Sequence, residues 1–212
     1  MEDRGLDQLT SALDFDRIAA APLQRDPYPF VIVEGAIRAD FAEALDAELP
    51  EVNQGGAHAL AEVEHGPLFD RLVADLESDC FRKLIEEKFG LELDGRDVLT
   101  TYRGWVRWKD GLTHTDTPNK AMTTLLYLNP PGAADTAALR ILRSGNLDDY
   151  VAEVPPRMGN MIIFQVTANC WHGHKQMEGP RRSLQMNYRS GLNLKRHEYG
   201  GRLLRRLKRL FA

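Results

Sequence analysis

Five segments between residues 98 and 190 decide the fold: VLTTYRGWVRW (98–108), AMTTLLYLN (121–129), ALRILRS (138–144), NMIIFQV (160–166) and RSLQMNYRS (182–190). Each segment is rich in β-branched or aromatic residues and is bounded by Gly, Pro, Asn or Asp, a pattern typical of β-strands. No segment with helical periodicity separates one from the next, so the strands must pair mainly antiparallel. The sequence therefore predicts an α+β protein with a mainly β core: a jelly roll or double-stranded β-helix with helices packed outside.

The first hundred residues follow a different period. Gly90 stands where a helix C-terminal glycine belongs, and FVIVEGAI at residues 30–37 predicts a first strand. Apolar residues recur at helical spacing in four stretches, which predict helices at residues 6–20, 41–49, 68–78 and 79–89.

This change of period suggests how the chain is organised. We expect residues 1–96 to form a mostly helical N-terminal elaboration packed on a β core of residues 97–192, followed by a basic C-terminal helix at residues 193–212. No stretch is long enough to serve as a linker between independent domains, so these parts should belong to one structural domain.

Composition and charge exclude several classes of protein. With 43% hydrophobic and 27% charged residues, the chain of 212 residues is neither disordered nor fibrous. It has no run of roughly 18 apolar residues that could cross a membrane, and the N-terminus MEDRGLDQLT lacks the features of a signal peptide, so we expect a cytoplasmic protein. A net charge of -4 argues against a nucleic-acid partner. Cys80 and Cys170 are far apart, which favours two unpaired thiols over a disulfide or a thiolate metal site.

The first candidate for chemistry is the pair His114 and Asp116, in the stretch KDGLTHTDTPNK between two predicted strands. In an extended backbone, residues two positions apart point to the same side, so an imidazole and a carboxylate at this spacing can bind one metal ion. A second pair, His172 and His174, lies two positions apart in WHGH. Two imidazoles and one carboxylate form the facial triad that suits non-haem Fe(II) and O₂.

A polar row follows on the last predicted strand. Alternate residues share one face of a strand, and here one face carries Arg181, Ser183, Gln185 and Asn187, whereas the other is largely apolar. Polar side chains that face the interior of a barrel are costly unless a polar group binds there. An arginine beside a serine is well suited to a carboxylate, because the planar guanidinium donates two charge-assisted hydrogen bonds and the hydroxyl a third.

Together, HTD at 114–116, WHGH at 171–174 and GPRRSLQMNY at 179–188 resemble the bacterial 2-oxoglutarate and Fe(II)-dependent oxygenases of the prolyl-4-hydroxylase-like superfamily. The signature of that family is His-x-Asp, a distal His, and an Arg-x-Ser shortly after it. The resemblance implies Fe(II), 2-oxoglutarate as cosubstrate and O₂, and a hydroxylation that releases succinate and CO₂. The substrate, a small molecule or a peptide, is not indicated by the sequence.

The resemblance also implies roles for individual residues. His114, Asp116 and His172 would be the metal ligands, Arg181 would pair with the 5-carboxylate of 2-oxoglutarate, and Ser183 would assist it. His172 is nine residues before Arg181 and His174 only seven, and the family spacing favours His172 as the distal ligand.

Tyr102 lies where the family often supplies a hydroxyl to the cosubstrate. The other interpretation of this residue is a packed aromatic side chain whose hydroxyl is bonded elsewhere.

Two other functions compete with this one. A β-barrel protein could hold Zn²⁺ or Ni²⁺ with the same ligands and without 2-oxoglutarate, although a structural metal would leave the Arg-x-Ser face without a purpose. The tail YGGRLLRRLKRLFA (199–212) could instead dock on a membrane surface or an acidic partner, because its leucines form one helical stripe surrounded by basic residues.

Overall fold

Two antiparallel β-sheets form the core of the protein. The structure, a computed structural model, describes residues 11–130 and 137–189. The larger sheet contains six strands: β1 (Phe30–Val33), β2 (His58–Ala59), β3 (Asp97–Val106), β4 (Lys120–Tyr127), β7 (Met161–Gln165) and β9 (Gly179–Arg189). Its strand order is β1-β7-β4-β9-β3-β2. The smaller sheet contains β5 (Leu139–Leu142), β6 (Tyr150–Val154) and β8 (His172–Gly173), in the order β6-β5-β8.

In the described part of the chain before β3, from residue 11 onward, there are four α-helices: α1 (Phe15–Ala20), α2 (Ala39–Leu45), α3 (Pro67–Leu76) and α4 (Asp79–Phe89). The sequence fixes both ends of α4. The Ser78 hydroxyl accepts a hydrogen bond from the Phe81 amide at 3.2 Å, and Gly90 ends the helix with a φ of 70°, a conformation that glycine adopts without steric cost.

The larger sheet buries both of its faces. The outer face packs against the helices, so that Leu184 and Met186 of β9 share one apolar core with Phe69 of α3 and Phe81 of α4. The inner face packs against the smaller sheet in a second apolar core of Phe30, Tyr127, Leu139, Ile141, Val154, Ile162 and Phe164. The inner face of β4 and β9 is therefore enclosed between two sheets.

This architecture confirms the predicted α+β class with a mainly β core, antiparallel strands and helices outside. The N-terminal segment supplies two strands of the larger sheet in addition to the helices that pack on it. Strand β1 pairs with β7 in the register Phe30↔Phe164, and β2 pairs with β3. Strands β6 and β8 were not among the predicted segments.

No helix within the described residues is both long and apolar enough to cross a lipid bilayer. The start of the predicted first helix and the basic tail at 193–212 lie outside the described residues. The docking hypothesis for residues 199–212 therefore stays a prediction.

Candidate active site

Backbone pairing brings His114 and His172 together. The two residues form an antiparallel bridge in which each amide donates to the other's carbonyl at 3.0 Å. Their ring centroids lie 4.4 Å apart. Because β8 holds one side of this bridge, the loop after β3 is held against the smaller sheet, and the two imidazoles face the same point.

The orientation of both imidazoles is set by hydrogen bonds to the backbone. Nδ1 of His114 lies 2.9 Å from the carbonyl oxygen of Leu112, and Nδ1 of His172 lies 2.8 Å from that of Cys170. A carbonyl can only accept, so each Nδ1 carries the proton and each Nε2 keeps a free lone pair. Histidines that bind metals are typically fixed in this way by a second hydrogen bond.

Asp116 completes the cluster. One ligand atom from each of His114, Asp116 and His172 can be chosen so that all three lie within 4.8 Å of one another. Two neighbours hold the carboxylate, with Lys120 Nζ donating to Oδ1 at 2.9 Å and Thr123 Oγ1 donating to Oδ2 at 2.5 Å. Burial raises the pKa of Asp116, but the Lys120 charge and the two hydrogen bonds more than offset it and lower the pKa below its ordinary value. The carboxylate is therefore ionised and oriented before any metal binds.

His174 lies beside this cluster without joining it. Its amide donates to the carbonyl of Gly111 at 3.0 Å, and its Nδ1 lies 2.8 Å from the Lys175 carbonyl oxygen. Gly111 has a φ of 85°, and a Cβ at this position would overlap the His174 ring. The structure thus brings His172 to the other two predicted ligands and packs His174 against a glycine on the wall of the neighbouring cavity.

A cavity of about 440 Å³ opens next to the cluster, on the inner face of the larger sheet. Its wall includes the three clustered side chains and the predicted cosubstrate residues Arg181 and Ser183. Further charged, polar and apolar side chains on the wall are Arg103, Lys109, Asp110, Lys120, Thr123, Leu125, Tyr127, Leu139 and His174.

Arg181 is a buried cation that has no carboxylate partner among the described residues. Only 6% of the residue is exposed, and its guanidinium donates to the carbonyl of Ala137 at 3.3 Å and to the hydroxyl of Tyr127 at 3.2 Å. No carboxylate among the described residues forms an ion pair with it. A buried charge without an ion-pair partner destabilises the protein, so an anion bound in the cavity would stabilise this guanidinium.

Ser183 is a second buried polar residue on this wall whose side chain lacks a partner among the described residues. The residue is 1% exposed, and its hydroxyl has no hydrogen-bond partner among the residues that the structure describes. An orphaned buried hydroxyl costs about 1 to 3 kcal/mol. It lies two positions from Arg181 on the inner face of β9, so one oxyanion could satisfy both side chains.

Comparison with known families agrees with this geometry. Residues 104–189 match the model of the 2OG-Fe(II) oxygenase superfamily. The match covers His114, Asp116 and His172 together with Arg181 and Ser183, and it confirms the resemblance drawn from the sequence motifs. No curated protein sequence matches the chain significantly.

Solved structures of oxygenases share the fold. A prolyl-4-hydroxylase from Pseudomonas putida is 18% identical, with a TM-score of 0.55 over 84% of this chain and 97% of that one. A prolyl 4-hydroxylase from Phytophthora capsici is 17% identical, with a TM-score of 0.58 over 98% of this chain and 80% of that one. HygX from Streptomyces hygroscopicus, solved with nickel and 2-oxoglutarate bound, is 14% identical, with a TM-score of 0.50 over 76% and 82%. These likenesses establish the double-stranded β-helix fold.

The oxygenase superfamily uses Fe(II), 2-oxoglutarate and O₂, and the side chains present here fit that set. The cluster offers two imidazole nitrogens and one carboxylate, which are suitable ligands for non-haem Fe(II). Arg181 and the orphaned Ser183 hydroxyl fit a dicarboxylate in the adjoining cavity. The family match therefore supports a dioxygenase.

The structure places Tyr102 away from the cavity, which corrects the cosubstrate role considered for it. Tyr102 does not line the cavity; it lies on the outer face of β3, edge-on to Phe69 with the ring centroids 5.7 Å apart. Its hydroxyl donates to the carbonyl of Pro50 at 3.1 Å, and burial raises its pKa to about 12. Period-two alternation is the reason, because the neighbouring Arg103 occupies the inner face.

Tyr102→Phe tests this structural role. We expect the free energy of unfolding to fall by about 1 to 2 kcal/mol, because the Pro50 carbonyl loses its donor inside the protein. The affinity for 2-oxoglutarate should stay within about twofold of the wild type, since the side chain does not reach the cavity. Urea denaturation and a 2-oxoglutarate titration measure the two quantities. A tenfold loss of 2-oxoglutarate affinity with unchanged stability would restore the rejected role.

Sequence reasoning missed three residues of this site. Tyr127 shares the cavity wall with Arg181 because Tyr127 lies opposite Ser183 in the β4–β9 register. Lys120 and Thr123 hold Asp116 from the start of β4. Alternation along β4 could have placed Thr123 and Tyr127 on one face, but no sequence signal gave the register of β4 against β9.

Buried imidazoles predict a loss of stability in acid. Burial, and after it the charge of His114, lowers the pKa of His172 from 6.5 to about 4. Burial, and after it the charge of Arg181, lowers the pKa of His174 from 6.5 to about 4. The unfolded chain therefore takes up protons first, so stability is fully present above pH 6.5 and falls as the pH drops toward 4.

We expect the metal-free protein to lose about 1 to 2 kcal/mol of stability per histidine between pH 7 and pH 5. Urea denaturation at the two pH values measures the change. The His174→Gln variant should show a smaller loss than the wild type, because one of the two buried imidazoles is absent. Equal free energies of unfolding at both pH values would contradict the assignment.

Proposed function

We propose that this protein is an Fe(II)- and 2-oxoglutarate-dependent dioxygenase that hydroxylates a C–H bond of its substrate. In the overall reaction, one oxygen atom of O₂ enters succinate, which forms from 2-oxoglutarate with loss of CO₂, and the other enters the substrate as a hydroxyl group. Iron, cosubstrate and O₂ supply the oxidising chemistry, while the protein supplies binding and orientation.

The observation that carries this proposal is the pair formed by Arg181 and Ser183. Among the residues with a described position, the buried Arg181 guanidinium has no carboxylate partner and the buried Ser183 hydroxyl has no hydrogen-bond partner. Both face the same cavity as the three-residue cluster. A metal site alone would not require them. A small dianion that reaches from the metal to Arg181 would satisfy both side chains, and 2-oxoglutarate is such a molecule.

Each side chain then has a definite task. His114 and His172 would donate Nε2 lone pairs to Fe(II), and Asp116 would donate a carboxylate oxygen oriented by its neighbours. Arg181, Ser183 and Tyr127 would hold the distal carboxylate of the cosubstrate. The apolar side chains of Leu125 and Leu139 on the cavity wall would exclude water from this region.

The competing function, a β-barrel protein that binds a metal without 2-oxoglutarate, accounts for the cluster but not for the cavity beside it. In that function the burial of Arg181 and Ser183 would lower the stability of the protein, and no bound ligand would offset the loss. The two functions therefore differ in one measurable property, the binding of 2-oxoglutarate next to the metal.

Anaerobic titration of the Fe(II)-loaded protein with 2-oxoglutarate tests the proposal. Chelation of Fe(II) by the 2-keto acid end of the cosubstrate produces a metal-to-ligand charge-transfer absorption. We expect this band to grow and saturate in the wild type. The matched control is the His114→Ala variant, which should bind neither the metal nor the cosubstrate in this form and should give no band.

The same titration separates the two functions. Retention of Fe(II) with no band and no 2-oxoglutarate binding would reject the dioxygenase and leave the metal-binding barrel. Activity follows as succinate formed when candidate substrates are added in air.

A further inference from the structure

A second arginine on the cavity wall, Arg103, forms no ion pair with the described residues, and this charge indicates the class of substrate. We propose that Arg103 binds an oxyanion of the substrate, so that this oxygenase acts on an acidic molecule, with a carboxylate as the simplest group. The inference rests on the proposed function, because it assigns the substrate end of the same site.

Arg103 reaches the cavity from β3. In the antiparallel pairing of β3 with β9 it lies directly opposite Ser183, and both residues line the cavity. The register of β3 against β9 becomes irregular only after Arg103, between Arg103 and Trp105. Period-two alternation along β3 puts Tyr102 on the outer face and Arg103 on the enclosed inner face of the sheet.

No carboxylate among the described residues forms an ion pair with Arg103, although Asp110 and Asp116 attract its charge from a longer distance. Arg103 is partly buried, and it forms no hydrogen bond or ion pair with the residues that the structure describes. Asp110, an acid on the same cavity wall, is held by Arg107 through bonds of 2.9 Å from the amide and 3.0 and 3.1 Å from the guanidinium. Burial lowers the pKa of Arg103, yet arginine stays charged at any physiological pH. Within the described residues the guanidinium therefore has donors free for a bound oxyanion.

The cofactors do not remove this charge either. The cavity wall carries four basic side chains, Arg103, Lys109, Lys120 and Arg181, and two acidic ones, Asp110 and Asp116. Asp116 and its partner Lys120 belong to the metal site. A ferrous dication and a 2-oxoglutarate dianion together add no net charge, so the described wall keeps its excess of two positive charges when both cofactors are bound. With the distal carboxylate placed beside Arg181, Arg103 and the exposed Lys109 are the basic side chains that no bound group contacts.

An oxyanion on the substrate fits this surplus. A guanidinium binds carboxylates in a bidentate manner, with two parallel charge-assisted hydrogen bonds that also fix the orientation of the bound group. Because Arg103 shares the cavity with the metal cluster, an acid held there would have its neighbouring C–H bonds inside the same chamber. A neutral substrate would instead leave this partly buried guanidinium without an ion pair to the bound ligand.

The test uses acetate as the probe and acetamide as its neutral counterpart. The full-length protein is loaded with Zn(II) and saturated with 2-oxoglutarate, and each probe is titrated at constant ionic strength while the line width of its ¹³C-labelled methyl group is followed by NMR. We expect a saturable site for acetate and none for acetamide. Arg103→Gln should weaken acetate binding at least about tenfold, and its affinity for 2-oxoglutarate should stay within about twofold.

Two further variants act as controls. Arg38→Gln removes the same charge from the surface, where Arg38 pairs with Asp40 at 3.5 Å, and it should leave acetate binding unchanged. Arg103→Lys keeps the charge but loses the planar fork, so its acetate affinity should lie between those of the wild type and Arg103→Gln. Circular dichroism establishes that each variant is folded.

Three outcomes would overturn the inference: no saturable acetate site in the wild type, equal acetate binding in Arg103→Gln, or a loss of 2-oxoglutarate affinity in Arg103→Gln as large as that in Arg181→Gln. The last would make Arg103 a cosubstrate residue. Failure of the wild type to bind 2-oxoglutarate at all would instead overturn the proposed function, and the substrate assignment with it.

Discussion

The His172→Ala protein is expected to lose Fe(II) binding, whereas His174→Ala retains it. Only His172 offers a nitrogen to the cluster with His114 and Asp116. Changing a residue that merely supports a metal ligand weakens binding by about 10- to 100-fold, so removal of a ligand should cost at least about 100-fold. Equilibrium dialysis under anaerobic conditions, with iron measured by mass spectrometry, gives the affinities.

His114→Ala provides a second variant for this prediction. His114 is exposed, so its loss should leave the fold intact, whereas His172 is buried and its removal also creates a cavity. We expect both variants to lose Fe(II) to a similar extent, and thermal unfolding shows whether the His172 variant is folded. If His174→Ala lost iron and His172→Ala kept it, the distal ligand would have been assigned to the wrong histidine.

Arg181→Gln is expected to separate metal binding from cosubstrate binding. The variant keeps the cluster, so Fe(II) affinity should be unchanged, but the distal carboxylate of 2-oxoglutarate loses its buried charged partner. Breaking a buried charge-assisted pair costs about 2 to 5 kcal/mol, which corresponds to a loss of affinity of roughly 30-fold or more. The charge-transfer titration measures this directly. Ser183→Ala should show a smaller loss, about 1 kcal/mol, because a single neutral donor is removed.

The neighbouring arginine supplies a matched control. Arg182 points to the other face of β9 and forms an ion pair with Asp46 at 3.1 Å, away from the cavity. Arg182→Gln removes the same charge one position along the chain, and it should leave the 2-oxoglutarate affinity within about twofold. Equal losses in the two variants would show a general charge effect, and normal binding by Arg181→Gln would reject its role.

The residues that sequence reasoning placed well are those whose geometry is local. In extended backbone a spacing of two puts His114 and Asp116 on one side, and the same rule put Arg181 and Ser183 on one face of β9. These relations depend on a few consecutive residues and need no knowledge of the fold. The resemblance to the oxygenase superfamily then linked the separate motifs into a single site.

Relations between distant strands were not accessible in this way. Tyr127 reaches Arg181 only because β4 and β9 pair in one particular register, and Tyr102 was placed near the cosubstrate because the face of β3 that turns inward was not known. Strand β8 has two residues, too few for a periodic pattern, although it carries His172. Pairing across the sheet, which is set by packing of the whole core, decides these positions.

The pairing of β1 with β7 has a consequence for the order in which the protein folds. Phe30 lies opposite Phe164, so two strands that touch are separated by more than a hundred residues of chain. Non-local pairing of this kind slows folding, because the entropy of closing a long loop is lost before the contact is gained. During synthesis, β1 leaves the ribosome well before its partner exists. Its apolar stretch FVIV lacks its partner strand until β7 emerges, and an unpaired apolar strand of this kind is prone to aggregation.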